Sequence, residues 1–188
     1  YRLGDRGIYY KIFQPDTIPN FTFTRLVSDL PDDAEIVDQY TIAQESYDES
    51  LVTIIKRKED AKLIYHLVPP ENNLREDYNT ILNLARGVLL EHQPKAEEFT
   101  DTERTRQVFF NIAKDLIQDL ANNQGIALNF SDLNKLSTIL VRYTIGFGII
   151  EVLLQDKNLQ DISLNAPISR TNIFVRHQKY DECSTNIL

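Results

Sequence analysis

The pattern of apolar and polar positions in the first third of the chain predicts a small sheet. Apolar and polar positions alternate around Tyr40 and Ile42, as in a half-buried strand. Leu51–Arg57 and Lys62–Val68 are two runs rich in β-branched residues, and the four-residue polar loop between them predicts a hairpin. Two prolines follow the second run. Because proline has no N–H to donate to a ladder, the second strand is predicted to end there.

Helical periodicity replaces this alternation after the prolines. Apolar residues recur every three or four positions from about Leu74 to Glu91, which predicts an amphipathic helix. A second helix is predicted to begin at a capping box formed by Thr100 and Glu103, in which each side chain satisfies a free backbone N–H. Gly125 then supplies a left-handed stop for this helix.

The last part of the chain combines a further helix with short strands. The helix begins near Ser131 and is interrupted by Gly146 and Gly148. Glycine costs about 1 kcal/mol inside a helix, so this pair predicts a helix end or a close backbone contact. Short runs at Asp161–Asn165 and Ile173–Gln178 predict a second set of strands.

The order of these elements predicts an α+β fold in three parts. Residues 1–34 are predicted to form a leader or arm, which is mildly basic up to the acidic segment that begins after Ser28. Residues 35–95 are predicted to form a small sheet followed by a helix. Residues 96–188 form a second domain, in which helices lead into a short-stranded sheet. Polar and charged residues replace the apolar stripe between 92 and 99. Two modest units joined by a polar linker are capable of hinge motion.

Composition narrows the possible functions. The chain has 188 residues, of which 42% are hydrophobic and 26% charged, as in a globular protein. Its formal net charge is −8, which argues against nucleic acid as a partner. A single cysteine excludes an internal disulfide and a cysteine-rich zinc site. We therefore expect a cytoplasmic protein that meets other proteins.

The acidic residues are concentrated in one segment. Between Ser28 and Ser50 there are eight carboxylates and no lysine or arginine, so this segment accounts for the net charge. We interpret it as an acidic surface for a basic protein partner; the alternative is a solvated loop and strand face that keeps the molecule soluble. The candidate partner-binding residues are Asp29, Asp32, Asp33, Glu35 and Asp38.

The familiar catalytic motifs are absent from the sequence. None of the six glycines is followed by lysine, so the chain has no P-loop to wrap a nucleotide phosphate. His66, His92 and His177 are isolated from one another, and we predict no metal site. One further hypothesis is a small hydrolase that uses Cys183 as nucleophile and His177 as base. However, adjacent strands do not by themselves assemble a nucleophile, a base and an orienting carboxylate. We predict that this chain alone is not an enzyme.

Several short motifs occur in the last quarter of the chain, at Tyr143–Ile150, Leu153–Asp156, Leu159–Ile162, Ile173–Tyr180 and Thr185–Ile187. They resemble the region upstream of the motor domain in secretion-superfamily ATPases. These ATPases drive type II secretion, type IV pili and the archaellum, and the archaeal branch is the most similar. Asp38–Ile42 and Tyr65–Glu71 resemble strand ends further upstream in that family. The chain departs from the family pattern at Gln160, where an acidic residue is usual.

The resemblance implies the N-terminal regulatory and docking region of such an ATPase. Residues 35–95 would dock on the cytoplasmic part of a polytopic membrane platform protein, at the inner face of the cell membrane. A RecA-like motor domain would follow residue 188 and bind ATP and Mg²⁺ in a homo-hexamer, whereas the fragment alone would be a monomer. No cofactor is expected in this chain, and no nucleic acid.

Arg176 is the candidate nucleotide-contacting residue that the resemblance implies. It occupies a strand position where relatives carry an arginine that approaches the phosphates bound by the motor. The alternative is an arginine on the strand surface that is paired with a local carboxylate. At the level of the whole chain, the alternative to the ATPase region is a free-standing acidic protein-interaction module without a motor.

Overall fold

The computed structural model describes residues 26–43, 45–91, 102–165 and 170–188. Strands and α-helices within these ranges give the α+β fold that the sequence predicts. The strands are β1 (Glu35–Ala43), β2 (Glu49–Lys56), β3 (Ile64–Val68), β4 (Leu159–Ser163), β5 (Phe174–His177) and β6 (Asp181–Thr185). The α-helices are α1 (Glu76–Glu91), α2 (Thr102–Asn123), α3 (Phe130–Thr144) and α4 (Ile149–Gln155), and a 3-10 turn, Pro70–Asn73, precedes α1.

All six strands belong to one mixed sheet in the order β1-β2-β3-β6-β5-β4. The predicted hairpin is confirmed as β2 and β3, which are antiparallel. The first three strands join the last three through a short parallel pairing of Ile64 with Ser184 and Tyr65 with Thr185. The side chain of Asn186 extends this junction, because its Oδ1 accepts from the Leu67 N–H (2.8 Å) and its Nδ2 donates to the Leu67 carbonyl (2.9 Å). The amide therefore acts as one more strand partner.

Helices α1, α2 and α3 pack against one another in a separate layer. The predicted stop after α2 is confirmed, since Gly125 has a φ of 69°. Helix α3 is capped by Asn129, whose side chain accepts from the Asp132 N–H at 2.7 Å. The capping box predicted at Thr100 and Glu103 lies outside the residues whose side chains the structure describes.

The loop between α3 and α4 is built around Gly146 and Gly148, as the sequence predicts. A Cβ on Gly146 would lie 2.7 Å from the Arg142 carbonyl oxygen and would collide with a carboxylate oxygen of Glu151. Gly148 has a φ of 58° and donates its N–H to the Arg142 carbonyl. No single helix in the described ranges is long and apolar enough to cross a membrane; α3 and α4 together satisfy those criteria, but across a bend of 110°.

The molecule has two hydrophobic cores, one for each layer. Helix α4 packs on the sheet, and this core joins residues such as Val52 and Tyr65 with Ile150 and Val175. The second core lies among α1, α2 and α3. Both cores combine residues from the predicted parts 35–95 and 96–188. The boundary itself, between residues 92 and 99, and most of the leader, residues 1–25, lie outside the described residues.

Candidate functional site

A buried carboxylate joins the motifs that are far apart in sequence. Asp156, at the end of α4, is only 5% exposed. Its Oδ2 accepts hydrogen bonds from the hydroxyls of Tyr40 (2.6 Å) and Tyr65 (2.7 Å), and its Oδ1 accepts from the Asn158 N–H. Burial, followed by the nearby Asp156 carboxylate, raises the pKa of the Tyr65 hydroxyl, so this tyrosine remains a donor. The cluster ties α4 to β1 and β3.

His177 and Tyr180 extend this cluster through the turn between β5 and β6. The His177 ring lies 5.0 Å from the Tyr180 ring, and its Nδ1 accepts from the Lys179 N–H at 3.1 Å. Tyr180 donates its hydroxyl to Asp38 at 2.6 Å. This hydrogen bond, with help from Lys179, lowers the pKa of the Asp38 carboxyl. The motifs in β1, β3, α4 and the β5–β6 turn therefore meet at one end of the sheet.

We call Tyr40, Tyr65, Asp156, His177 and Tyr180 the motif cluster. Its side chains hold elements together: the Asp156 carboxylate accepts three hydrogen bonds, and burial beside it raises the pKa of the Tyr40 and Tyr65 hydroxyls, which therefore act as donors. The sequence motifs identified these residues, but not the contacts between them. Tyr40 and Asp156 are 116 positions apart in the chain, and no local pattern records that pairing.

A second polar cluster connects the sheet layer with the helical layer. The Arg142 side chain is 1% exposed and binds both carboxylate oxygens of Asp48, at 2.7 and 2.5 Å. Its other terminal nitrogen lies 3.3 Å from Glu71, which also accepts the hydroxyl of Tyr143 at 2.7 Å. Sequence analysis missed this cluster. An arginine within the apolar face of α3 was the signal that could have found it.

A second ion pair joins α2 to α4. Arg106 of α2 forms two hydrogen bonds with Glu151 of α4, at 2.9 and 2.6 Å. Burial alone would raise the pKa of Glu151, but these bonds and the Phe147 N–H outweigh it and lower that pKa. With the Arg142 cluster, this pair fixes α4 and the β1–β2 loop to the helical layer.

Arg176 lies on the solvent-facing side of β5, opposite Glu182 of β6. Its Nε donates to Asp181 at 3.1 Å, and both side chains are largely exposed, at 62% and 76%. The surrounding strands leave an open concavity of about 330 Å³, lined by Asp161, Ser163, Phe174, Arg176 and Glu182 among others. Arg176 thus has the local carboxylate partner that one interpretation of the sequence expects. The pair is exposed, and such pairs stabilise a fold by only about 0–1 kcal/mol.

The structure separates the predicted acidic surface into two groups. Asp33 pairs with Arg57 at 3.0 Å, and Asp38 binds Tyr180 and Lys179. Asp29, Asp32 and Glu35 are exposed and form no ion pair within the described part of the chain.

The hypothesis of a cysteine hydrolase finds no dyad in the described residues. Cys183 is fully buried, and its sulfur contacts the carbonyl oxygens of Tyr180 (4.0 Å) and Asp181 (3.8 Å). Burial raises the pKa of its thiol to about 11, which disfavours the nucleophilic thiolate. In the ranges that the structure describes, no three His, Cys, Asp or Glu side chains are grouped to hold a metal ion. His92 lies outside those ranges.

Comparisons with known proteins relate one part of the chain to an archaeal protein. No protein-family model matches the sequence. The uncharacterized protein MJ1288 of Methanocaldococcus jannaschii is 34% identical over 74 residues, which are 39% of this chain and 29% of that protein. The match thus spans less than a third of the relative. This partial match to an uncharacterized protein therefore assigns no activity, substrate or partner to the chain.

Proposed function

We propose that this chain is the N-terminal regulatory and docking region of a secretion-superfamily ATPase. The observation that carries the proposal is the motif cluster. Residues that resemble the family at Tyr40, Tyr65, Asp156, His177 and Tyr180 come from four elements, yet they contact one another in one place. This convergence supports the proposal, because it places the residues of the separate motifs in one structural unit.

In this proposal the sheet and its helical layer transmit motion between a membrane platform protein and a following ATPase domain. The cytoplasmic part of the platform protein binds this chain, which lies at the inner face of the membrane. ATP and Mg²⁺ belong to the following domain and to its hexamer. The cross-layer ion pairs at Arg142 and Arg106 support this role, because they let the chain move as a connected unit.

Arg176 is proposed to contribute charge to the nucleotide site of the following domain. Its present partner, Asp181, is exposed, so exchanging that carboxylate for a phosphate oxygen costs little. A guanidinium placed beside a phosphoryl group in the transition state stabilises the charge that develops there. The concavity around Arg176 leaves room for such an approach.

The first test is to read the gene beyond Leu188. A G-x-x-x-x-G-K-[ST] motif within the next two hundred residues or so supports the proposal. The longer protein is then assayed for ATP hydrolysis with Arg176→Gln. We expect kcat to fall by about 100-fold or more, as when a transition-state donor is removed. Arg75→Gln is the matched control, because that side chain is equally exposed (62%) and also pairs with an aspartate. Equal activity of the two variants would refute the role of Arg176.

The second candidate is a free-standing acidic interaction module without a motor. The exposed carboxylates of Asp29, Asp32 and Glu35, which form no ion pair with the residues that the structure describes, favour it, since they offer charge to a basic partner whatever follows the chain. A stop codon directly after Leu188 would support this candidate against the ATPase region.

A further inference from the structure

Strand β1 lies at the edge of the described sheet. Within the described residues it pairs only with β2, and it is nine residues long. Ile42 is its one buried side chain, whereas Ile36 and Val37 are 57% and 44% exposed. Long apolar edge strands invite pairing with another chain, and proteins usually protect them with lysine, proline or a covering segment. The described part of β1 carries neither residue, and Lys179 of the β5–β6 turn contacts it at Asp38. No strand covers its outer edge within the described residues, so this edge is a candidate docking site.

A bulge divides this edge into two parts. Ile36 lies opposite Ile55 and Asp38 lies opposite Ile54, so Val37 is an extra residue in β1. From Asp38 to Ala43 the register with β2 is regular. This segment of six residues has the unbroken register that pairing with a further strand requires, and the bulge sets the end at which pairing stops.

The carboxylates near the edge of β1 favour a partner with basic residues. Asp29, Asp32 and Glu35 stand just before or at the start of β1 without ion pairs in the described part of the chain. No lysine or arginine occurs between Leu26 and Ile55. A second copy of this chain would bring the same carboxylates to the edge, and like charges would repel. A basic segment of another protein would meet complementary charge.

We propose that the open edge of β1 binds an extended basic segment of a partner protein as a seventh strand. The backbone of residues 38–43 supplies the hydrogen bonds, and Asp29, Asp32 and Glu35 receive lysine or arginine side chains of the segment. Apolar residues of the segment cover Ile36 and Val37. This inference rests on the docking role proposed above and specifies its partner as a basic, strand-forming peptide.

The test uses a synthetic ten-residue peptide that alternates lysine and valine, titrated against this chain by fluorescence anisotropy at low salt. Hydrogen exchange of residues 38–43 is expected to slow when the peptide binds. The same peptide with methylated alternate backbone nitrogens cannot complete the ladder and is expected to bind at least about tenfold more weakly. Equal binding of the two peptides would overturn strand addition.

Charge is tested with a triple variant, Asp29→Asn, Asp32→Asn and Glu35→Gln. It is expected to weaken binding by about tenfold, as three exposed pairs allow. The control neutralises three other exposed carboxylates, Glu59→Gln, Asp115→Asn and Asp119→Asn, and leaves affinity within about twofold. Equal losses in both variants, or a dimer that protects β1 without peptide, would overturn the proposal. A stop codon after Leu188 would remove the ATPase proposal and leave this test intact.

Discussion

At the scale of single residues, two buried histidines make the stability of the fold sensitive to acid. His66 and His177 are 3% and 4% exposed, and burial lowers the pKa of each because it disfavours the imidazolium. For His177, Asp156 and Asp38 oppose this effect and Lys179 adds to it. Three of the four ring nitrogens, both in His66 and Nε2 in His177, have no hydrogen-bond partner in the described structure. Burial therefore disfavours a second proton, and with it the positive charge, on either ring.

We therefore predict that the free energy of unfolding falls as the pH drops from 7 to 5. The unfolded chain binds protons at the ordinary histidine pKa, whereas the folded chain resists them to lower pH, so acid favours unfolding. Each histidine contributes a loss of order 1 kcal/mol over this range. Urea unfolding at several pH values measures the slope. The double variant His66→Gln and His177→Gln should flatten it, and an unchanged slope would contradict the assignment.

Sequence reasoning found residues at this scale where they belong to short motifs and missed their long-range partners. It placed Asp48 in an acidic surface, whereas that carboxylate is 2% exposed and bound to Arg142, 94 positions away. Counting charges along the sequence cannot distinguish a buried, ion-paired carboxylate from an exposed one. Two residues that pair across the fold have no characteristic spacing in the sequence. The apolar neighbours of Arg142 on α3 were the available clue.

At the scale of elements, three of the four described glycines, Gly87, Gly125 and Gly146, have different roles that substitution can separate. Gly146→Ala places a methyl group against the Arg142 carbonyl and Glu151, and we predict a loss of about 1–3 kcal/mol. Gly125→Ala meets open space but keeps a φ of 69°, which costs about 1–2 kcal/mol. Gly87→Ala, in α1 with open space, should stabilise by up to about 1 kcal/mol.

Thermal or urea unfolding of the three variants measures this series. Gly87→Ala serves as the control for alanine itself, because it changes helix propensity without a contact. A Gly146→Ala protein as stable as the wild type would show that the α3–α4 loop can open at no cost, contrary to the packing described here.

The elements themselves follow from local patterns, while their assembly does not. Alternation and helical periodicity predicted the β2–β3 hairpin and helices α1 and α3 to within a few residues. The single sheet was not predicted, since it depends on a two-residue parallel pairing and on the Asn186 amide. A pairing of only two residues produces no periodic pattern in the sequence from which it could be predicted.

At the scale of the whole molecule, two hydrophobic cores are held together by polar contacts. The sheet core and the helical core are separate clusters. Asp48 with Arg142, Glu71 with Arg142 and Tyr143, and Arg106 with Glu151 bridge the two layers. Apolar burial therefore stabilises each layer, and these charged groups set how the layers sit against each other.

Removing Arg142 should therefore destabilise the whole chain. Arg142→Met leaves Asp48 buried without its cation, and we predict a loss of about 3–5 kcal/mol in the free energy of unfolding. Adding Asp48→Asn removes the stranded charge, so the double variant should be more stable than Arg142→Met alone. Arg176→Met, at an exposed pair, is the control and should change stability little. Urea unfolding measures all three. If the double variant is no more stable than the single one, the loss comes from packing of the arginine side chain, and the ion pair does not join the layers.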